Sequence, residues 1–451
     1  MDPLTLSEIA RMTGALLAAG DPEAVVSRVC KDTRGILPGD LYVALRGERF
    51  DGNAFLAEAA SKGAVGALCD AEPPVGLPPR FGILSTSDSL AGLTLLAAAW
   101  RERLNLRSVV ITGSSGKTST KDFTAAVLAT RLRVTATHGN LNNHIGLPLS
   151  ILSASSTDEA AVWEIGMNHR GEIAPLAGLA RPDIGIITGI GSAHIEHLGS
   201  RGEIAREKGD LLERVAASGH VILPAADDFL PQLRTRTAAR VIEVGIGCGD
   251  LRAVNLRTDG EKTRFGIEGD FGTAEGCLPV PGRHMVGNAL LAIAAGVLCG
   301  IPVEECVAAL GSVSLTGGRL SLLTRNGATI LDDTYNANPE SMIAALDTLA
   351  SVKGRRIAVL GRMGELGSHA GEAYRRVGAR AAASADLLVC VGEEASAIGE
   401  AASQTGLADV RHVPDARAAA GLLSELLAPG VTVLLKASRS ARLEETLQYL
   451  A

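Results

Sequence analysis

Apolar residues along this chain gather in short runs separated by longer stretches with helical spacing. From about residue 105 to 314 the runs include Val109-Val110-Ile111, Ala161-Val162-Trp163-Glu164-Ile165, Ile184-Gly185-Ile186-Ile187-Thr188 and Val221-Ile222-Leu223. Buried strands alternating with helices predict βαβ units and a mostly parallel sheet. The rhythm resumes beyond Gly317-Gly318-Arg319, with runs at 328–332, 356–361, 387–392 and 431–435, which predicts a second doubly wound α/β domain. Upstream, residues 1 to about 84 hold shorter β-like runs such as Asp40–Leu45, a helical stretch near Ala54–Ser61 and the turn-rich piece Pro73–Pro79. An amphipathic helix over Ser89–Leu104 leads into the strand at 109–111, and an alanine-rich helix is expected over Asn288–Cys299. The fold class is therefore α/β, with expected domains at 1–84, 85–314 and 315–451.

The strand at 109–111 runs into Thr112-Gly113-Ser114-Ser115-Gly116-Lys117-Thr118-Ser119-Thr120, followed by helical sequence from Lys121 to Leu132. Strand, glycine-rich turn and helix together aim backbone N–H groups at an anion. Gly113 and Gly116 admit a polyphosphate, Lys117 can reach its β- and γ-phosphates, and the Thr118 hydroxyl can hold Mg²⁺. Ile111 stands where the general P-loop pattern has its first glycine. The competing reading is a tight strand-to-helix turn with a solvated lysine.

Composition narrows the classes. Hydrophobic residues make up 46%, charged residues 21% and aromatics only 3%, so the core must be built from Ala, Val, Leu and Ile. A net charge of −7 argues against general nucleic-acid binding. The seven cysteines are scattered without a Cys-x-x-Cys pair, which suggests neither a zinc site nor a disulfide framework and fits a reducing, cytoplasmic setting. No signal peptide and no membrane span are expected.

Further candidates stand at strand ends, where ligands of open α/β sheets collect. Glu164 suits a Mg²⁺ ligand; the plain alternative is a strand-end charge. His194 follows Thr188-Gly189-Ile190-Gly191-Ser192-Ala193, a loop too small to cover it, and suits a metal or phosphate. His197 can equally be a surface residue. Lys208 lies in helical sequence, where a solvated lysine is the simpler reading. The segment Thr137–Pro148 is dense in amides, including Asn140, Asn142 and Asn143, and suits a sugar or peptide ligand or a set of turns. Leu331–Pro339 offers acids, amides and a tyrosine, or else a helix N-cap cluster.

Eight segments together resemble the Mur ligase family of ATP-dependent amide-bond-forming enzymes, in the family's order. They are 112–118, Gly139–Pro148, Glu164–Asn168, Ala193–Glu196, Pro281–Ala289, Asp333–Pro339, Gly361–Gly367 and Lys436–Ser440. The resemblance implies a small N-terminal α/β domain for a uridine nucleotide, a central P-loop ATPase domain and a C-terminal Rossmann-like domain. It implies nucleotide-sugar contacts at Asp32, Thr33 and Arg34, and substrate contacts at Asn140, Asn142, Asn143 and Asn338. ATP would be held by Gly113, Ser114, Ser115, Gly116, Lys117, Thr118, Ser119, Asn288, Arg319, Asp333, Tyr335 and Asn336. Thr118, Glu164 and His194 would hold Mg²⁺, two ions in all, and Lys117, Glu164, His194 and Lys208 would be catalytic, Lys208 as a carbamate.

The implied reaction joins D-alanyl-D-alanine to UDP-N-acetylmuramoyl-tripeptide through an acyl phosphate, in a monomer. Two departures stand out: Pro224-Ala225-Ala226-Asp227-Asp228 lacks an asparagine that is frequent in the family, and Ala437 replaces a glycine. A sister ligase adding the third peptide residue would carry Asp-Asn-Pro-Arg, which is absent here. A folate polyglutamate ligase would lack the N-terminal domain and the 139–148 segment. A P-loop switch or kinase would account for Lys117 but not for the C-terminal third.

Overall fold

The computed structural model describes residues 1–450. The chain divides into two compact units: residues 1–108, 132–165 and 175–182 form the first, and 109–131, 166–174 and 183–451 the second. The chain thus passes between the units inside the region expected as one central domain.

The first unit holds a five-stranded sheet in the order Leu16–Ala19, Gly82–Ser85, Gly66–Cys69, Asp40–Val43, Arg28–Cys30. Its core gathers Ile36, Tyr42, Leu56, Ala59, Ala67, Phe81 and Ile83. The buried Tyr42 hydroxyl donates to the Gly52 carbonyl at 3.0 Å, meeting the need of a buried polar tip. The helix expected over Ser89–Leu104 is observed over Ser89–Arg103, capped by Asp88, whose side chain accepts from the N–H groups of Leu90 and Ala91. Trp100 and Arg101 turn inward and donate to the carbonyls of Ala154 and Ala180, both at 3.0 Å. Two further parallel strands, Val134–Ala136 and Ala160–Glu164, pair in this unit with Val134 opposite Ala160.

The second unit contains two layers of sheet. One runs Arg107–Thr112, Ile184–Ile187, His220–Pro224, Arg240–Ile246, Leu251–Asp259, Lys262–Gly269, Ala274–Leu278. Its first five strands are parallel, as expected. The last three form an antiparallel meander that the sequence reading did not anticipate. The other sheet runs Ser321–Arg325, Ala328–Asp333, Val431–Lys436, Arg355–Leu360, Leu387–Val391, Val410–Val413, parallel except for the hairpin at its first edge. Fully buried Ile330, Ile357, Val359, Val389, Val433 and Leu435 fill its core. Near-continuous aliphatic strands are what a parallel sheet covered on both faces requires.

The helix after Thr112 begins at Lys117 rather than Lys121 and ends at Leu128. Its first turn lies inside the glycine-rich motif, so a pattern search that starts from apolar periodicity misses it. A Cβ on Gly296 would collide with Val127, so glycine lets the helix Arg283–Leu298 lie against Lys117–Leu128.

Candidate active site

The glycine-rich turn has the shape of an anion cradle. Gly113 sits at φ +152° and Gly116 at φ +81°. A Cβ on Gly113 would overlap the Thr188 hydroxyl, and one on Gly116 would collide with the Asn288 amide. Only glycine fits either position, by backbone angle and by space. No side chain caps the helix start at Gly116. Lys117 folds back over the turn, and its Nζ donates to the Gly113 carbonyl at 2.7 Å. Thr118, Ser119 and Thr120 are buried.

Neighbouring loops brace this turn. Ser114 N–H donates to the Gly189 carbonyl at 2.9 Å, and Ser114 Oγ accepts from Gly191 N–H at 2.8 Å. The Thr188 hydroxyl donates to the Ser115 carbonyl at 2.5 Å. The 189–194 loop is anchored in turn by Asp227, which accepts from Ile190 N–H, and by Glu340, which accepts from the N–H and hydroxyl of Ser192.

His194 opens the four-residue helix Ile195–Leu198 in a left-handed conformation, φ 65°. Its Nδ1 pairs with the carboxylate of Glu365. Burial lowers the imidazole pKa and the Glu365 contact opposes that shift. Lys208, in the helix Arg201–Glu213, is fully buried, and its Nζ has no hydrogen-bond partner among the described residues. Burial and the charge of Lys117 push its pKa well below the ordinary lysine value. The solvated-lysine reading of Lys208 is therefore corrected. The adjacent Glu207 is committed elsewhere, accepting from the N–H groups of Gly171 and Ile173.

The 333–340 segment approaches the same turn. Asn338 caps the helix Pro339–Ala350, and its Nδ2 donates to Ser115 Oγ at 2.9 Å. Its amide thus engages the glycine-rich turn and its own helix, and the N-cap reading of 331–339 holds at this residue. Asp333 pairs with Lys436 at 2.5 Å; burial raises its pKa, and the Lys436 charge resists the rise. Lys436 Nζ also donates to the Asn336 carbonyl at 3.0 Å. The guanidinium of Arg319 lies 4.0 Å from the Tyr335 ring centroid, a cation–π stack.

In the first unit, Glu164 is 2% exposed and accepts from Asn142 Nδ2 at 2.7 Å. Thr137 Oγ1 accepts from the Glu164 N–H at 3.0 Å. Asn143 spends its Oδ1 on the N–H groups of Ile145 and Gly146, which closes the turn entering the helix Gly146–Ser153, while Asn140 lies exposed. Asp32 is held to about 2 by the Arg34 guanidinium and backbone, Thr33 is buried, and both charged side chains remain exposed. Sequence reasoning did not single out Glu340, Glu365 or Thr188 as functional, because each acts through a partner far away in the chain.

Family models match three consecutive stretches: the Mur ligase family catalytic domain at 25–99, the Mur ligase middle domain at 111–296 and the Mur ligase glutamate ligase domain at 318–439. A UDP-N-acetylmuramoyl-tripeptide–D-alanyl-D-alanine ligase of Bacillus subtilis is 36% identical, aligned over 99% of this chain and 98% of its own. The chain belongs to the Mur ligase family. A crystal structure of MurF from Acinetobacter baumannii superposes with a TM-score of 0.91 at 30% identity, covering 100% of this chain and 99% of that one. MurF ligase from Thermotoga maritima, solved in complex with ADP, gives 0.83 at 28% identity over 94% of this chain and 96% of that one. The mixed α/β fold with mostly parallel sheets is that of the Mur ligases. Among the described residues, no helix is long and apolar enough to cross a membrane.

Proposed function

We propose that this ligase joins D-alanyl-D-alanine to UDP-N-acetylmuramoyl-tripeptide with ATP, in peptidoglycan precursor synthesis in the cytoplasm, as a monomer. The reading rests on full-length identity of 36% to a relative bearing that activity. The glycine-only phosphate turn with Lys117 folded over it supports the ATP part. Residues 1–84 would take the uridine nucleotide through Asp32, Thr33 and Arg34, residues 85–314 ATP, and residues 315–451 the dipeptide.

The tripeptide's terminal carboxylate attacks the γ-phosphorus of ATP, and the bond to the ADP oxygen breaks. The amine of the dipeptide then attacks the acyl carbon, a C–N bond forms, phosphate leaves with the C–O bond's electrons, and the nitrogen gives up a proton to solvent. The first step is phosphoryl transfer, in which positioning and charge neutralisation dominate. Lys117 exchanges its contact with the Gly113 carbonyl for the phosphate oxygens. Asn288, beside Gly116, and the Arg319–Tyr335 stack frame the nucleotide, with Asp333 and Asn336 fixed near it by Lys436.

Thr118, Glu164 and His194 would hold magnesium; a carboxylate only 2% exposed at a strand end is the donor type a hard cation takes. When bound there, magnesium would neutralise phosphate charge and let two anions approach. Desolvation and the Lys117 charge bias the unpartnered Lys208 amine toward its neutral form, the form that takes up carbon dioxide: an N–C bond forms, a proton leaves and a carbamate anion results. Asn140, Asn142, Asn143 and Asn338 are assigned to peptide contacts. Asn142 through Oδ1 and Asn143 through Nδ2 can make such contacts alongside the bonds described above, whereas Asn338, with both amide atoms engaged, would have to release one.

The test is phosphate release with purified UDP-muramoyl-tripeptide. Release should require D-alanyl-D-alanine, and free D-alanine should serve far less well, because the second residue's polar partners would be left unpaired at about 1–3 kcal/mol each. Equal rates with D-alanine would transfer the chain to the sister ligases that add single amino acids. Intact-mass measurement of the Lys208→Ala protein beside the parent in bicarbonate tests the carbamate.

A further inference from the structure

Seven described residues other than glycine have positive φ, and two of them, His194 at φ 65° and Glu365 at φ 59°, meet side chain to side chain, Nδ1 against the carboxylate. A non-glycine residue in this region is strained, and such strain persists only where surrounding structure imposes it. Two strained residues meeting across 171 positions of sequence is unexpected for a chance surface contact. The backbone reinforces the pairing: Glu196 N–H donates to the Glu365 carbonyl at 3.1 Å. A Cβ on Gly367 would stand 3.1 Å from Glu196 Cγ, so the turn carrying Glu365 presses on the turn carrying His194.

The contact is made through Nδ1, which leaves Nε2 as the free ring nitrogen. Histidines that ligate metals typically present one nitrogen to the ion while the other donates to a carboxylate, which fixes the tautomer and the ring plane. We infer that Glu365 is the positioning residue for His194, its carboxylate set against Nδ1 so that Nε2 is presented to a divalent cation. The inference rests on the reading of His194 as a cation ligand. Glu365 itself remains 44% exposed and touches neither the phosphate turn nor Lys208 in the contacts described, so it acts through the imidazole. Its place on the turn after the strand Arg355–Leu360 also gives the C-terminal sheet a direct hold on that ligand.

The experiment is Mn²⁺ titration followed by electron paramagnetic resonance, on the full chain with saturating ADP, for four proteins: parent, Glu365→Gln, Glu365→Ala and His194→Ala. ADP affinity without metal is measured beside it. Glu365→Ala should weaken Mn²⁺ binding by about 10-fold or more, the range seen when such outer partners are removed. Glu365→Gln retains an oxygen that accepts from Nδ1–H and should recover most of that loss. ADP affinity without metal should stay level, which a general distortion of the fold would not leave untouched. Unchanged Mn²⁺ affinity in Glu365→Ala, with a clear loss in His194→Ala, would overturn the role of Glu365 alone. Unchanged affinity in His194→Ala would overturn the cation-ligand reading and this inference with it. A loss in Glu365→Ala that Glu365→Gln does not recover would overturn positioning through the hydrogen bond.

Discussion

Two turns in the second unit look alike in sequence and are built for opposite purposes. Gly113–Gly116 and Gly361–Gly364 each follow a parallel strand with two glycines three apart. In the first, both glycines hold backbone angles closed to other residues, and the space where side chains would stand is bounded by Thr188 and Asn288. In the second, neither glycine has a positive φ, and a Cβ on Gly364 would find its nearest neighbour, Ser438, at 3.9 Å. The strained residue there is Glu365, which carries a side chain and sends it to His194. One turn keeps side chains off its backbone, while the other carries a carboxylate to a distant histidine. Glycine spacing alone does not separate them; φ and the built Cβ do.

The largest expected difference comes from Lys117→Ala. Turnover should fall by at least about a hundredfold, as when a donor to developing charge is lost, with the circular dichroism spectrum unchanged. A near-normal ligase rate would end the phosphate-cradle account. Gly116→Ala should come next, since strain and collision with Asn288 act together. We expect a loss of about 1–3 kcal/mol in chemical denaturation and weaker ADP binding in calorimetry. Gly364→Ala in the other turn should lie within about 0.5 kcal/mol of the parent, and a large effect there would erase the contrast.

Gly361 tests the second turn more finely. A Cβ there would stand 2.8 Å from Ala437 Cβ, so Gly361→Ala should cost about 1–3 kcal/mol by overpacking. Adding Ala437→Gly should restore most of it in a thermal melt, because it removes the methyl that Gly361 makes room for.

The smallest effect is a pH dependence. His284 opens the helix that carries Asn288, and burial, helped by the Lys436 charge, lowers its pKa from 6.5 to about 4. The unfolded chain takes up its proton near 6.5 and the folded protein only near 4. This residue therefore removes stability as pH falls through that window and adds no further slope below it. The parent should lose more Tm between pH 7 and pH 4.5 than His284→Gln; parallel curves would show that the imidazole is not held neutral.

Much of this was legible in the sequence because it is local. The phosphate turn, the strand ends at Glu164 and His194, and the helix from Ser89 all follow from neighbouring residues. The meander at 251–278 was not, since its strands carry many exposed polar positions and lack the aliphatic density of the parallel strands. Burial of Lys208 was hidden because helical spacing does not reveal what packs over a face. The commitments of Asn338, Glu340 and Glu365 were invisible for a simpler reason: each partner lies more than 140 residues away.

The bonds from Asn338 to Ser115 and from Glu340 to Ser192 carry a consequence for dissecting the protein. Both partners are loop hydroxyls on the N-terminal side of residue 314, and both anchors lie on the C-terminal side. A fragment ending at the junction of the expected second and third domains would keep the 113–120 turn and the 189–194 loop but lose the struts that hold them, along with Arg319, Asp333, Tyr335 and Asn336. Modular expression at that seam should yield a poor ATPase, and adding the missing piece in trans should recover function only at concentrations high enough to re-form the struts.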